Sequence, residues 1–306
     1  MAFKSLKKKY EQFQLKRQDA ADLKASEQLD VSGVKTVCLA IGPYRNLTTL
    51  TASVLFLHPS CQVLNHGGSR VFGNASIDFL SSYSKDKLDR FIAFAMTISS
   101  KGQRGGAGGS IVHSHAFDDK HKLKDIYEQS SVAQGKQVIQ SLFWKESLHT
   151  SNLLQNKHID VAALLAQEPR LRFLMPIRNP LDCAVSNQKT GHVGIFRGLQ
   201  KDAQLADVLV AILEEIYWFA GLQQRHPDRF FNYFEHSVSI EMLTHMAEFL
   251  QLPPDTEWLS NALAAMEIDS SYQHSPELIA LYTSTIEQKQ AEFPELSAQL
   301  MKFIQQ

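Results

Sequence analysis

Two short stretches combine residue types that can hold anionic groups. The first is "IGPYRNLTTL", residues 41–50. An apolar run turns through Gly42 and Pro43, presents Arg45, and continues through Asn46 and Leu47 into Thr48 and Thr49. Backbone amides at a helix start lack intrahelical partners and carry partial positive charge. A guanidinium and two hydroxyls beside them make a phosphate or sulfate cradle. An ordinary helix cap, with Asn46 or Thr48 capping and Arg45 in solvent, explains the same residues.

The second stretch is "PIRNPLDCAVSNQKTG", residues 176–191. Apolar "LRFLMPI" (171–177) ends on Arg178, and Ser186 follows eight residues later. Asn179 suits a helix cap and Pro180 a first turn. Arg178 and Ser186 can grip a second phosphate by charge and by hydroxyl donation. A surface ion pair of Arg178 with Asp182, and a small packed residue at Ser186, are the alternatives.

These stretches need strands behind them. "KTVCLAIG" (35–42) reads as a buried parallel strand, "TTLTASVLFLH" (48–58) as a helix and "CQVLN" (61–65) as a strand. Residues 76–100 read as a helix, "QVIQSLFWKES" (137–147) as a third strand, and "DVAALLAQEP" (160–169) as a helix feeding strand 171–177. The C-terminal part is largely helical: a long helix over 203–224, a short strand over 229–235, and a helix over 240–252 stopped by Pro253 and Pro254. Strands alternating with helices predict an α/β fold, a central parallel sheet flanked by helices. Ligands of such sheets bind beyond the carboxyl ends of the strands.

The glycine-dense "KGQRGGAGGS" (101–110) has neither the Walker order nor the dinucleotide fingerprint, and reads as a flexible loop or a lid. Residues 2–28 predict a basic amphipathic helix, with Phe3, Leu6, Tyr10 and Phe13 on one face and lysines around it. It suits packing on the body, or contact with an anionic membrane surface or partner. The domain reading is this N-terminal helix over residues 1–30, then one domain over 31–306.

Bulk composition narrows the classes. The 306 residues are 44% hydrophobic and carry a net charge of −1, which supports a full core and argues against a nucleic-acid partner. Cys38, Cys61 and Cys183 are neither a disulfide framework nor a zinc set, so a reducing, cytoplasmic setting is expected. No apolar run is long enough to span a membrane. "HSHAFDDKH" (113–121) lacks cysteines or a second matching cluster, so no metal is assigned.

The two strand-end motifs together resemble those of the sulfotransferases that use 3′-phosphoadenosine 5′-phosphosulfate (PAPS). Arg45-Asn46-Leu47-Thr48-Thr49 aligns with the family's 5′-phosphosulfate loop, [K/R]-S-G-T-T. Arg178 to Ser186 matches R-[D/N]-P-x-D-x-x-x-S at every fixed position. "FFNYFE" then "MAEFLQLP" is similar to a third family segment, with Glu235 in its acidic slot. The resemblance covers roughly residues 36–254. It implies the family's P-loop NTPase-like fold and PAPS as sulfuryl donor, with no metal. Arg45 would contact the transferred group and the leaving phosphate. Asn46, Leu47, Thr48 and Thr49 would complete the 5′ loop, and Arg178 and Ser186 would hold the 3′-phosphate. Leu47 departs from the family's glycine, at a position where glycine permits positive φ.

The base is less specified. His58-Pro59 falls where the tyrosylprotein branch has its His-Pro, and His66 takes the place of a later acidic residue. Histidine is a competent base near neutral pH. Glu146 and then His149 rank behind His66. Lys145 matches the lysine of the cytosolic branch's Lys-x-His, where Ser147 replaces the histidine. The implied reaction is sulfuryl transfer from PAPS to a hydroxyl or amine, releasing adenosine 3′,5′-bisphosphate. A non-catalytic nucleotide-binding protein of this fold, and a small-molecule kinase, are the alternatives. Peptide tyrosine, glycan, lipid and small phenol stay open as acceptors.

Overall fold

The computed structural model describes residues 17–102, 107–119, 122–136, 138–267 and 272–305. Six strands form one sheet: β1 (Thr36–Ala40), β2 (Cys61–Asn65), β3 (Gly109–Ser110), β4 (Ser141–Lys145), β5 (Leu171–Ile177) and β6 (Phe230–Phe234). Their order is β3-β2-β4-β1-β5-β6, and every pair is parallel except β2 with β3. The strands read as continuous apolar runs because both faces of the sheet are covered. In β1, Val37 and Leu39 enter one core while Cys38 and Ala40 enter the other, as a period of two requires.

Helix α1 (residues 17–26) precedes the sheet. Helices α2 (Thr48–Phe56), α3 (Gly68–Val71) and α4 (Lys85–Ser99) lie between β1 and β3, and α5 (Lys122–Gln129) between β3 and β4. Helices α6 (Leu148–Asn156) and α7 (Val161–Gln167) lead to β5, and α8 (Pro180–Lys189) and α9 (Leu205–Arg225) to β6. The C-terminal part is helical as expected: α10 (Ile240–Phe249), α11 (Thr256–Ala265), α12 (Pro276–Lys289) and α13 (Pro294–Met301). No described helix is long and apolar enough to cross a membrane.

The connections set the site. β1 and β5 are hydrogen-bonded neighbours, but the chain leaves β1 toward β2 and leaves β5 toward β6 on the opposite side. A crevice therefore opens between the two following loops at the carboxyl edge of the sheet. Both motifs sit on that edge.

Three sequence expectations shift. Helix 76–100 begins only at Lys85, capped by the Ser84 hydroxyl, which accepts from the Lys87 amide. Upstream, the Asp78 carboxylate accepts from the Gly73 and Ser81 amides, and these local bonds compete with helix. The strand expected over 137–147 is confined to Ser141–Lys145, with residue 137 outside the described residues. In the glycine-dense segment, Gly109 and Ser110 are not loop but pair with Asn65 and Leu64 as the antiparallel edge strand. Residues 103–106 of that segment, residues 120–121 of the His/Asp stretch, and the aromatic stripe of the N-terminal helix lie outside the described residues.

Candidate active site

The loop after β1 is shaped by three left-handed residues. Gly42 has φ 102°, and a Cβ there would meet the Met175 side chain at 2.6 Å, so only glycine fits. Arg45 and Leu47 have φ of 61° and 59°. Leu47 thus adopts a left-handed conformation that favours glycine, and the loop bears the corresponding strain. Leu47 is the N-cap residue of α2, and no side chain caps that helix. Helices α4, α8 and α10 are each capped by their own N-cap side chain. Thr48, Thr49 and Leu50 of the first turn of α2 line a cavity of about 770 Å³.

Asn46 points the other way. Fully buried, it donates from Nδ2 to the Pro176 carbonyl, and its Oδ1 accepts from the Arg178 amide at 2.8 Å. It clamps the loop after β1 to the end of β5 and does not line the cavity. Helix α8 adds a second clamp, because Asn187 Nδ2 donates to the Tyr44 carbonyl at 2.7 Å. The two motifs are one unit held by side-chain amides.

Arg178 leaves β5 and lines the cavity, buried and flanked by two carboxylates. Asp182 Oδ2 lies 3.7 Å from its Nη2 and Glu235 Oε2 lies 3.9 Å from its Nε. The Asp182 pairing considered for the sequence is present, but both groups are buried, and Asp182 Oδ1 also meets His274 Nε2 at 2.8 Å. Glu235 also accepts from the Asn179 amide at 3.0 Å, which fixes the start of α8. Ser186 lies on the buried face of α8, where its hydroxyl accepts from Arg45 Nε at 2.9 Å. The residues assigned to two separate phosphates therefore meet: Arg45 of the first motif touches Ser186 of the second.

The ends of β2 and β4 supply the remaining chemistry. Lys145, Glu146 and His66 all line the cavity. Trp144 Nε1 donates to the His66 carbonyl at 2.9 Å, and the His66 amide donates to the Lys145 carbonyl at 2.9 Å. These bonds hold His66 in a left-handed turn with φ 59°. Its Nε2 lies 3.1 Å from Lys145 Nζ. Burial, then the nearby Lys145 charge, pushes the His66 imidazole down to about 3. His66 is thus neutral, with its Nε2 beside the lysine. Burial lowers Lys145 to about 8, opposed by Glu146 and reinforced by Arg45. Burial raises Glu146 to about 7, against the pull of the Gly68 amide bond and Lys145. Glu146 Oε2 accepts that amide at 3.0 Å.

His149 lines the cavity, packed edge-on to the Tyr44 ring at 5.6 Å, and burial lowers its basicity. Ser147, the replacement for the cytosolic branch's histidine, is fully buried with φ 58° and does not line the cavity. His58 is structural: its ring accepts from the Ser60 amide at 3.1 Å, bonds the Pro253 carbonyl at 3.1 Å and packs on Trp258. Cavity walls that sequence reasoning missed are Tyr44, Phe72, Ser69, His115, His192 and Ile195. Tyr44 adjoins Arg45 in the first motif. His115 lies in the His/Asp stretch weighed only for metal, and the others come from segments assigned no role.

The result is a cavity with three cations, Arg45, Lys145 and Arg178, the start of a helix without a side-chain cap, and one carboxylate, Glu146. It can bind an anion with more than one charged group and remove a proton beside it. Among the described residues, no cluster of three or more His, Cys, Asp or Glu is arranged to hold a metal ion.

No family model matches the chain. No curated protein matches it in sequence. Among solved structures, it is similar to a mouse sulfotransferase complexed with PAP, at TM-score 0.45 and 8% identity over 93% of each chain. It is also similar to a sulfotransferase from Mycobacterium avium, at TM-score 0.43 and 14% identity, over 86% of this chain and 78% of that one. Both neighbours are sulfotransferases, the family that the two strand-end motifs resemble.

Proposed function

We propose that this chain is a sulfotransferase that moves a sulfuryl group from PAPS to an acceptor hydroxyl or amine and releases adenosine 3′,5′-bisphosphate. The observation that carries the reading is the joining of both motifs at one sheet edge, where Arg45, Lys145 and Arg178 line a single cavity at the uncapped start of α2. This donor set fits a ligand with two anionic groups. Thr48, Thr49, the α2 amides and Arg45 would hold the 5′ end. Arg178 and Ser186 would hold the 3′-phosphate, and Ser186 would exchange its bond to Arg45 for one to that ligand.

PAPS, when bound, supplies an activated sulfuryl group whose bond to the 5′-phosphate breaks as the acceptor's bond to sulfur forms. The protein's part is positioning, charge stabilisation and one proton transfer. Lys145 and Arg45 stabilise charge on the leaving phosphate. Glu146 takes the acceptor's proton: it lines the cavity, and with a pKa near 7 it is partly ionised at neutral pH yet basic enough to act. His66, neutral and turned to Lys145, orients that lysine. This ranking reverses the order expected from side-chain type alone.

Incubation with PAPS and mixed phenol, glycan, peptide and lipid acceptors, with adenosine bisphosphate as the measured product, tests the reading. Acceptor-dependent release that Glu146→Gln abolishes is the expected result. A folded protein that binds the nucleotide but releases no product with any acceptor class would point to the non-catalytic alternative.

A further inference from the structure

Glu146 reaches the cavity from the end of β4, and a backbone donor to it comes from α3, the Gly68 amide. That approach is tight: a Cβ on Gly68 would sit 2.8 Å from the Glu146 carboxyl carbon. α3 has four residues, too few to hold itself in place. It carries Arg70, a buried arginine that does not line the cavity, beside the core residue Val71. Arg70 Nε lies 2.5 Å from Asp19 and Nη2 lies 2.6 Å from Asp22, both on α1. Its guanidinium lies 5.0 Å over the Phe94 ring. Lys101, at the edge of the glycine-dense segment, shares Asp22 at 2.6 Å. Burial raises the Asp22 carboxyl, but Lys101 and Arg70 more than offset this and hold it below the ordinary range. Behind α3, Gly108 packs so closely on Gly67 that a Cβ on it would meet the Gly67 Cα at 2.7 Å.

We infer that Arg70 is a positioning residue: gripped by Asp19 and Asp22 of α1, it fixes α3 so that the Gly68 amide meets Glu146. The N-terminal helix is thereby part of the site, though none of its described residues lines the cavity. A guanidinium held at two of its nitrogens by two carboxylates suits this task, because it fixes direction as well as distance. The inference deepens the reading of Glu146 as the proton acceptor.

The groups that face Glu146 are Lys145 beside it on β4, Tyr44 of the loop after β1, and the Gly68 amide. Arg45, from the loop after β1, and His66, from the end of β2, bear on Lys145 in turn. His149, from α6, lines the same cavity. Loosening Arg70 acts on the Gly68 bond and on the cover that α3 gives the carboxylate, and the Gly68 amide shift reads the bond itself. An amide bond to a carboxylate favours its ionised form, so losing it raises the titration midpoint.

The test is NMR of the full chain labelled with [15N]glycine, followed across pH without any donor or acceptor. The Gly68 amide is the resonance whose titration disappears in Glu146→Gln. In the unaltered protein it should titrate near 7. In Arg70→Met the amide should move upfield as its bond to the carboxylate is lost, and the midpoint should move by about half a unit or more. Arg70→Lys, which keeps the charge but loses the fork, should restore the shift only in part. If Arg70→Met does not fold, the milder Asp19→Asn decides by the same readout. An unchanged Gly68 midpoint and shift in a folded variant would overturn the inference. Because the readout needs no nucleotide, a moved midpoint in a protein that binds no adenosine bisphosphate would keep Arg70's role and reject the proposed reaction.

Discussion

Substitution of Leu47 tests the geometry of the phosphate loop through the sign of a difference. A non-glycine residue in the left-handed region costs roughly 1–2 kcal/mol. Leu47, at φ 59°, bears that cost, and Leu47→Ala would bear it as well. Leu47→Gly relieves it but loses about 0.5–1 kcal/mol through the freer unfolded chain. The glycine variant should therefore be more stable than the alanine variant by about 0.5–1 kcal/mol. In ordinary helical backbone the order is reversed by about the same amount. Urea unfolding of both variants at equal pH measures the difference, and equal m values keep the comparison clean. If alanine proves as stable as glycine or more so, Leu47 does not hold a left-handed turn. The account of how this loop keeps its course would then fail.

Other outcomes follow from the same geometry. A plot of log kcat/KM against pH should rise up to about 7, as Glu146 ionises, and fall above about 8, as Lys145 loses its proton. A flat profile across that range would exclude both roles. Glu146→Gln should lower kcat by about 100-fold or more, while His66→Gln should cost about tenfold or less. The reverse ranking would return the base to His66. Asn46→Ala leaves the Pro176 carbonyl and the Arg178 amide without their partner in a buried clamp. It should destabilise the protein by about 2–4 kcal/mol, read by urea unfolding, and a loss under about 0.5 kcal/mol would refute the clamp.

Much of the fold was legible because buried parallel strands are written as local apolar runs. Strands β2 and β5 fall on residues 61–65 and 171–177, the limits read from sequence. Strand β3 was not legible. Gly109 and Ser110 carry no apolar signal, and they become a strand only because the end of β2 offers an open edge. The site divides in the same way. Arg45, Arg178 and Ser186 stand out through type and spacing. Asn46 reads as a loop or cap residue, whereas its partners are more than a hundred positions away in sequence. His66 ranks first as a base while its pKa is taken as ordinary, and burial beside Lys145 removes that advantage. Glu146 gains what His66 loses, through desolvation that no spacing records. Arg70 shows nothing in sequence beyond a charge near a glycine pair.

The central claim is that the two motifs form one site that distinguishes a nucleotide bearing a 3′-phosphate. Calorimetric titration with adenosine 3′,5′-bisphosphate, with 5′-AMP and ADP as controls and Arg178→Ala alongside, addresses it directly. The account predicts micromolar binding that requires the 3′-phosphate and weakens by roughly 30- to 150-fold without Arg178, the loss of one buried charge-assisted contact. Absent binding by folded protein, or equal affinity for 5′-AMP, or Arg178→Ala affinity within twofold of the unaltered chain, would contradict it.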